Sequence, residues 1–284
     1  MIKRILVALD PDPDTETAIR YAIDIASVYE SHLTGLAIVD TRDIEKEIRG
    51  AGIGALYYAE RLREKLSDEV RKLAHELGEN FKNITERYCD VCASYMVEEG
   101  VPAERISEDT KYHDLLVLGK SMHFFYTFPE KETDSVSHVV KHSACPVLLV
   151  GKEYREINHV LMAFDGKVAS ATAIQRFAQL KPLGTDFSVE VVHVRRSDDE
   201  KDKDESALLL RLMQEYLESH GFEVRTTSIA GEDTQRRLLD YVDHVGADMV
   251  VAGAHGEAKF LELAMGSTVY SLIRDTDVPV FVCR

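Results

Sequence analysis

The chain has 284 residues, 45% hydrophobic and 30% charged, with formal net charge −16 and four cysteines. That length and apolar fraction fit one large or two medium packed domains and exclude disorder as a global description. The acidity is spread evenly, −9 over residues 1–151 and −7 over residues 152–284, and such a surface repels nucleic acid and anionic lipid, so any bound phosphate has to be held by local backbone amides.

The N-terminal run Arg4-Ile5-Leu6-Val7-Ala8-Leu9-Asp10 reads as a short strand. It lacks the apolar stretch and small-residue cleavage site of a signal peptide, and no segment approaches the ~18 to 20 apolar residues that would span a bilayer, so the expectation is a cytoplasmic protein with no membrane partner. Gly50 to Ala59 is rich in glycine and tyrosine and could line a pocket. Cys89-Asp90-Val91-Cys92 is a C-x2-C pair without the second pair that a zinc ribbon needs, with Cys92 placed at the start of a strand; it reads as two ordinary thiols. After the apolar strand Asp114 to Gly119 come four aromatics, Phe124, Phe125, Tyr126 and Phe128, in a loop that has to pack over its own site, line an apolar pocket or meet another protein. His138 and His142 share a helix face in a spacing compatible with zinc, but the nearby Cys145 precedes Pro146 at a strand entry, a core position, so no metal is assigned. Gly151 to Asn158 is a polar boundary too short to let two halves drift apart.

Beyond that boundary, strands are expected near 159–164, 187–194, 222–229, 248–252 and 279–283. A helix over Val168 to Leu180 places Ala171, Ile174, Phe177 and Ala178 on one face and is ended by Pro182 and Gly184. The charge run Asp198 to Glu205 reads as a solvated loop or frayed start before a helix near 205–219.

The two halves repeat one another. Arg4 to Asp10 matches His159 to Asp165, Asp114 to Gly119 matches Asp248 to Gly253, and the Pro146 strand matches the Pro279 strand. The register holds with one insertion of about 21 residues between Asp40 and Phe81 in the first half. Strands alternating with helical segments mean β-α-β units on a parallel sheet.

The segment from Gly253 to Val269 carries the chemistry. It leaves an apolar strand and opens onto a helix over Ser267 to Asp275, where unpaired N–H groups and the positive end of the helix dipole form an anion site. Glycine there permits close approach of a phosphate, and Ser267 and Thr268 offer a cap and hydroxyls. His255 lies in the loop as a solvated or orienting group, and Lys259 as a surface lysine. Each turn taken alone is common. Together, Gly253-x2-Gly256-x9-Gly266-Ser267 resembles the nucleotide-binding signature of the universal stress protein family, and the likeness extends over nearly the whole chain as two tandem copies, residues 1–151 and 156–284.

The resemblance implies an α/β fold of two tandem five-stranded parallel open-sheet, Rossmann-like domains, packed as a pseudo-dimer through their last strands, with homodimers open as a further state. It implies an adenine nucleotide, ATP with or without Mg, in the second half. Carried over by position, Ala163, Phe164 and Asp165 would flank the adenosine and Val194 the adenine. Gly253, Gly256, Gly266, Ser267, Thr268 and Val269 would cradle ribose and phosphates, with Ala252 and His255 also in the nucleotide site. The first half departs from the signature: Met122 stands where Gly256 does, and Thr133 and Asp134 where Gly266 and Ser267 do. A side chain at each close-approach point and an added negative charge close that site to ATP.

The expected function is therefore that of a cytoplasmic stress-response or regulatory protein with one ATP per chain. No catalytic residue is assigned: without a Walker lysine or a placed general base, chemistry would be limited to slow hydrolysis or phosphorylation of Ser267 or Thr268. Two alternatives stand beside it. One is an ATP-using enzyme of the adenine-nucleotide α-hydrolase type, whose phosphate loop near the first strand has no counterpart in Asp165 to Ser170. The other is a ligand-free scaffold in which the glycines serve only as turns.

Overall fold

A computed structural model describes residues 1–40, 56–88, 91–122, 132–254 and 266–284. The apolar runs become strands, buried on both faces in the middle of the sheet, as expected where helices cover a parallel sheet on each side, and only part-buried at its two edges. In the first half these are β1 (Arg4–Leu9), β2 (His32–Val39), β3 (Cys92–Glu99), β4 (Leu115–Gly119) and β5 (Val147–Val150). Between them lie α1 (Asp14–Tyr29), α2 (Leu56–Thr85), α3 (Pro102–Asp109), a 3-10 turn at Thr110–Tyr112, and α4 (Glu132–His142). The second half repeats the order with β6 (His159–Ala163), α5 (Val168–Leu180), β7 (Ser188–Arg195), α6 (Glu200–Ser219), β8 (Val224–Ala230), α7 (Thr234–Val245), β9 (Met249–Gly253), α8 (Ser267–Asp275) and β10 (Val280–Cys283).

All these strands form one ten-stranded sheet in the order β3-β2-β1-β4-β5-β10-β9-β6-β7-β8. Pairing within each half is parallel. The halves join where β5 meets β10 antiparallel, Leu148 opposite Phe281. The expected pseudo-dimer through the last strands is thus a single open sheet.

Alternation along β1 sends Ile5, Val7 and Leu9 to one core, shared with α1, α5 and α6, and Leu6 and Ala8 to the other, shared with α4, α7 and α8. The boundary segment is laid against α1. Tyr21 donates its hydroxyl to Arg155 O (2.8 Å), Tyr154 donates to Asp24 Oδ2 (2.7 Å), the two rings lie 4.8 Å apart, and the Arg20 guanidinium sits 3.5 Å over Tyr154.

One boundary differs from the sequence reading. Helix α6 takes in most of the charge run, because Asp199 caps it by accepting from Asp202 N (2.8 Å) and because Glu200 and Asp202 in its first turn are favoured by the helix dipole. Cys92 does open β3, exposed, whereas Cys89 lies outside the described residues, as do the segment 41–55 and the aromatics Phe124, Phe125, Tyr126 and Phe128.

Candidate functional site

In the second half the sheet order β10-β9-β6-β7-β8 places β6 between β9 and β7, so the chain leaves β6 toward one side and returns to β9 on the other. The crevice at such a switch point, outside the carboxyl ends of the strands, is where open α/β sheets take ligands. Here it is lined by Ala163, Phe164 and Asp165 after β6, Val192 and Val194 of β7, Ala252 and Gly253 of β9, and Gly266, Ser267, Thr268 and Val269 at the start of α8. Ser170 of α5 and Thr234 and Leu238 of α7 complete the wall. Of the residues that the resemblance assigns to the nucleotide, His255 and Gly256 lie outside the described residues, as does Lys259 of the same loop, and the others line this crevice.

The local geometry follows from small residues. Gly166 turns the chain after β6 at φ 76°, a left-handed conformation that glycine adopts without strain. Gly253 has no room for a side chain: a Cβ would stand 2.4 Å from Ala169 C and 2.5 Å from Ser170 N. The end of β9 is thereby pressed onto the first turn of α5. Asp165 is held by its own turn, accepting from Ser170 Oγ (2.5 Å) and Lys167 N (3.1 Å), with Lys167 Nζ 3.6 Å away. Its carboxylate is the strand-end brace that such aspartates commonly are, set at the crevice rim. The Phe164 ring belongs to the core packed under α5 and α6, and its N–H donates to Val192 O (2.9 Å).

The opposite wall is the start of α8. Gly266 is its N-cap, without a side-chain cap bond. The first N–H groups of a helix have no intrahelical partner, so this end presents donors and a positive dipole end to the crevice. Ser267 is exposed beside them. The crevice continues past Ser267 and Thr268 to Glu232, Asp233, Thr234 and Gln235, where α7 also begins, with Asp233 as its cap. The interior is apolar and small, made of Ala163, Val192, Val194 and Leu238. His193, between Val192 and Val194, is paired with Ser206 Oγ (2.7 Å), and burial pushes its imidazole below the usual range, so it stays neutral at pH 7.

The first half repeats the brace, Thr15 donating to Asp10 O (2.7 Å) and Asp10 Oδ1 accepting from Asp12 N (3.2 Å). The place that matches the base of the second-half crevice is filled differently. Asp14 stands where the repeat places Ala169. It is fully buried, one oxygen accepting from Ser121 N (2.8 Å) and the other without a hydrogen-bond partner, and its Cβ would lie 2.5 Å from a Cβ on Gly119. Met122, where Gly256 stands in the repeat, is fully buried too. The repeat itself held the signal for Asp14, an acid aligned with an alanine. Thr234 and Leu238 carry no motif and become visible only in the fold.

His138 and His142 stack with ring centroids 4.1 Å apart, His142 Nδ1 lying 2.9 Å from His138 O. The Cys145 thiol lies against Ser143 Oγ (3.8 Å) and is pushed up to about 12 by burial, which makes it a core thiol. Among the described residues no group of three His, Cys, Asp or Glu side chains gathers as a metal site.

Residues 1–151 and 156–284 each match the universal stress protein family. Universal stress protein Slr1230 of Synechocystis sp. is 23% identical over 294 residues, spanning all of both chains. The solved structure of a universal stress protein from Archaeoglobus fulgidus, 18% identical, superposes with a TM-score of 0.67 over 99% of this chain and 96% of that one. A universal stress protein solved in complex with cAMP is similar over 46% of this chain and 98% of its own, at 17% identity and a TM-score of 0.39.

Proposed function

This chain belongs to the universal stress protein family, and from that premise we propose that its second half is a receptor for an adenine nucleotide, with ATP the first candidate, in a cytoplasmic stress-response or regulatory protein. The observation that carries this reading is the start of α8, a helix N-terminus with no side-chain cap, facing the crevice at the switch point of the sheet. It suits an anion in a chain whose net charge of −16 otherwise repels one.

The residues fit the group chemically. The small apolar wall of Ala163, Val192, Val194 and Leu238 would hold a planar base. Ser267 and Thr268 with the first-turn amides would hold phosphate. Glu232 and Asp233, where the crevice continues, favour a triphosphate that arrives neutralised by a divalent cation such as Mg over a free one. In the first half the buried Asp14 carboxylate and Met122 occupy the corresponding place, which supports a copy closed to ATP.

Equilibrium dialysis of the full chain with labelled ATP, with Mg and without, tests the reading, with cAMP, AMP and GTP as competitors. One molecule of ATP per chain is expected, lost in Gly266→Val. No binding, or binding that Gly266→Val leaves unchanged, refutes it.

A further inference from the structure

Lys120 belongs to the first half but serves the second. It follows Gly119 at the end of β4, where its N–H donates to Val150 O (2.8 Å). Its ammonium crosses to the other half and donates to Val278 O (2.6 Å), Thr276 O (2.8 Å), Thr276 Oγ1 (3.2 Å) and Leu272 O (3.3 Å). These acceptors are the last turn of α8, its C-cap residue and the turn into β10. Carbonyls at a helix C-terminus lack intrahelical donors and carry the negative end of the dipole, so a cation there both satisfies and holds them.

The other end of the same helix is the wall of the crevice. Nine residues separate the ends, and at a rise of ~1.5 Å per residue that is about 13 Å. A helix this short moves as a rod, so the group that fixes its last turn also fixes where its first-turn amides stand.

The repeat shows that this arrangement is particular to one half. Ala254 occupies the matching position, and its N–H donates to Cys283 O (2.9 Å) as that of Lys120 does to Val150 O. The backbone is the same, but an alanine cannot reach across. In the mirrored place, Arg284 approaches Lys141 O in the last turn of α4 at 3.3 Å, from an exposed position. The lysine therefore sits on the half closed to phosphate and holds the helix of the half that is open.

We propose that Lys120 is a positioning residue for the anion end of the second-half crevice, through which the first half sets the nucleotide affinity of the second. The inference rests on the nucleotide reading above. The charged groups facing the ammonium are Asp277 from the α8–β10 turn, Asp14 from α1 and Arg155 from the boundary segment. Burial brings the ammonium down to about 7, against the pull of Asp277 and Asp14 and with the push of Arg155. A neutral amine has one proton fewer to donate and no charge to set against the dipole, so the hold on α8 weakens as pH rises through that value.

The test measures ATP binding to the full chain at pH 6 and pH 8.5 for wild type, Lys120→Met and Lys120→Arg, together with hydrogen exchange of the α8 amides in the protein without nucleotide. Relative to Lys120→Arg, whose charge does not titrate, wild type should lose about threefold to fivefold in affinity between the two pH values, the size of a helix-end charge effect. Lys120→Met should bind about that much more weakly already at pH 6, and its α8 amides should exchange faster without nucleotide. A wild type that binds no ATP refutes the nucleotide reading and this inference with it. A wild type that binds, with Lys120→Met equal to it in affinity and exchange, refutes this inference alone. Should Lys120→Met fail to fold, Lys120→Arg decides: a pH slope as steep as that of wild type overturns the inference.

Discussion

Adding one methyl group at Gly253 probes the construction of the crevice directly. Its Cβ would stand 2.4 Å from Ala169 C, 2.5 Å from Ser170 N and 2.6 Å from Ala169 O. Carbon atoms in contact settle at about 3.5 to 4.0 Å, so roughly 1 Å of separation has to be recovered. All three neighbours are backbone, and no side chain can swing away. Either the first turn of α5 or the end of β9 has to move. Overpacking typically costs about 1 to 3 kcal/mol, and a collision with backbone belongs at the upper end, about 3 kcal/mol. At about 2 to 4 °C per kcal/mol, Gly253→Ala should lower the melting temperature by about 6 to 12 °C. The displacement also pulls Ser170 from Asp165, now 2.5 Å apart, and so should weaken the proposed ATP binding. Gly184→Ala is the control: nothing lies within 4 Å of the added carbon, and φ is 76°, so only left-handed backbone strain of about 1 to 2 kcal/mol applies. Calorimetric melting of both variants decides. The reasoning fails if Gly253→Ala melts within about 2 °C of wild type, or if Gly184→Ala is the more damaging of the two.

Phe281 is fully buried, packs edge-on against Phe177 with centroids 5.2 Å apart and faces Leu148 across the join, so Phe281→Ala should cost about 3 to 5 kcal/mol in urea unfolding; a loss below about 1 kcal/mol would contradict the packing described. Burial pushes Tyr21 up to about 12, and burial with Asp24 does the same for Tyr154. The neutral phenols are thus favoured in the fold, and their contribution is complete below the unfolded value near 10 and is lost as pH climbs toward 12. Ultraviolet titration should show two tyrosines ionising late and together with unfolding, and Tyr21→Phe with Tyr154→Phe should remove that late phase. With its thiol pushed up to about 12, Cys145 should resist a disulfide reagent at pH 8 until the chain unfolds, whereas exposed Cys92 reacts at once; equal rates would place Cys145 at the surface.

The architecture was legible because its central strands are buried on both faces and so appear as apolar runs, twice over in matching order, while the half-exposed edge strands β3 and β8 carry mixed sequences. The duplication also located the crevice, since a strand-end glycine and a Gly-Ser helix start are local features that keep their spacing. What stayed hidden depends on contacts between distant segments. Asp14 looks like an ordinary acid in the first turn of a helix until Gly119 and Ser121 are seen against it. Lys120 looks like a surface lysine in the sequence, because its acceptors lie more than 150 positions along the chain. The sequence suggests too late a start for α6 because a dense run of charge resembles solvated loop, while here three of its acids, Asp199, Glu200 and Asp202, serve a helix start.

The antiparallel seam between β5 and β10 also governs stoichiometry. When two separate chains pair through such strands, dilution parts them, and any two copies can exchange. Here the partners share one backbone across a boundary of only a few residues, so the effective concentration of each for the other stays fixed at any protein concentration. An unlike pair, one copy with an open crevice and one with Asp14 buried in its place, is therefore produced every time the chain folds. It cannot reassort into two open copies or two closed ones.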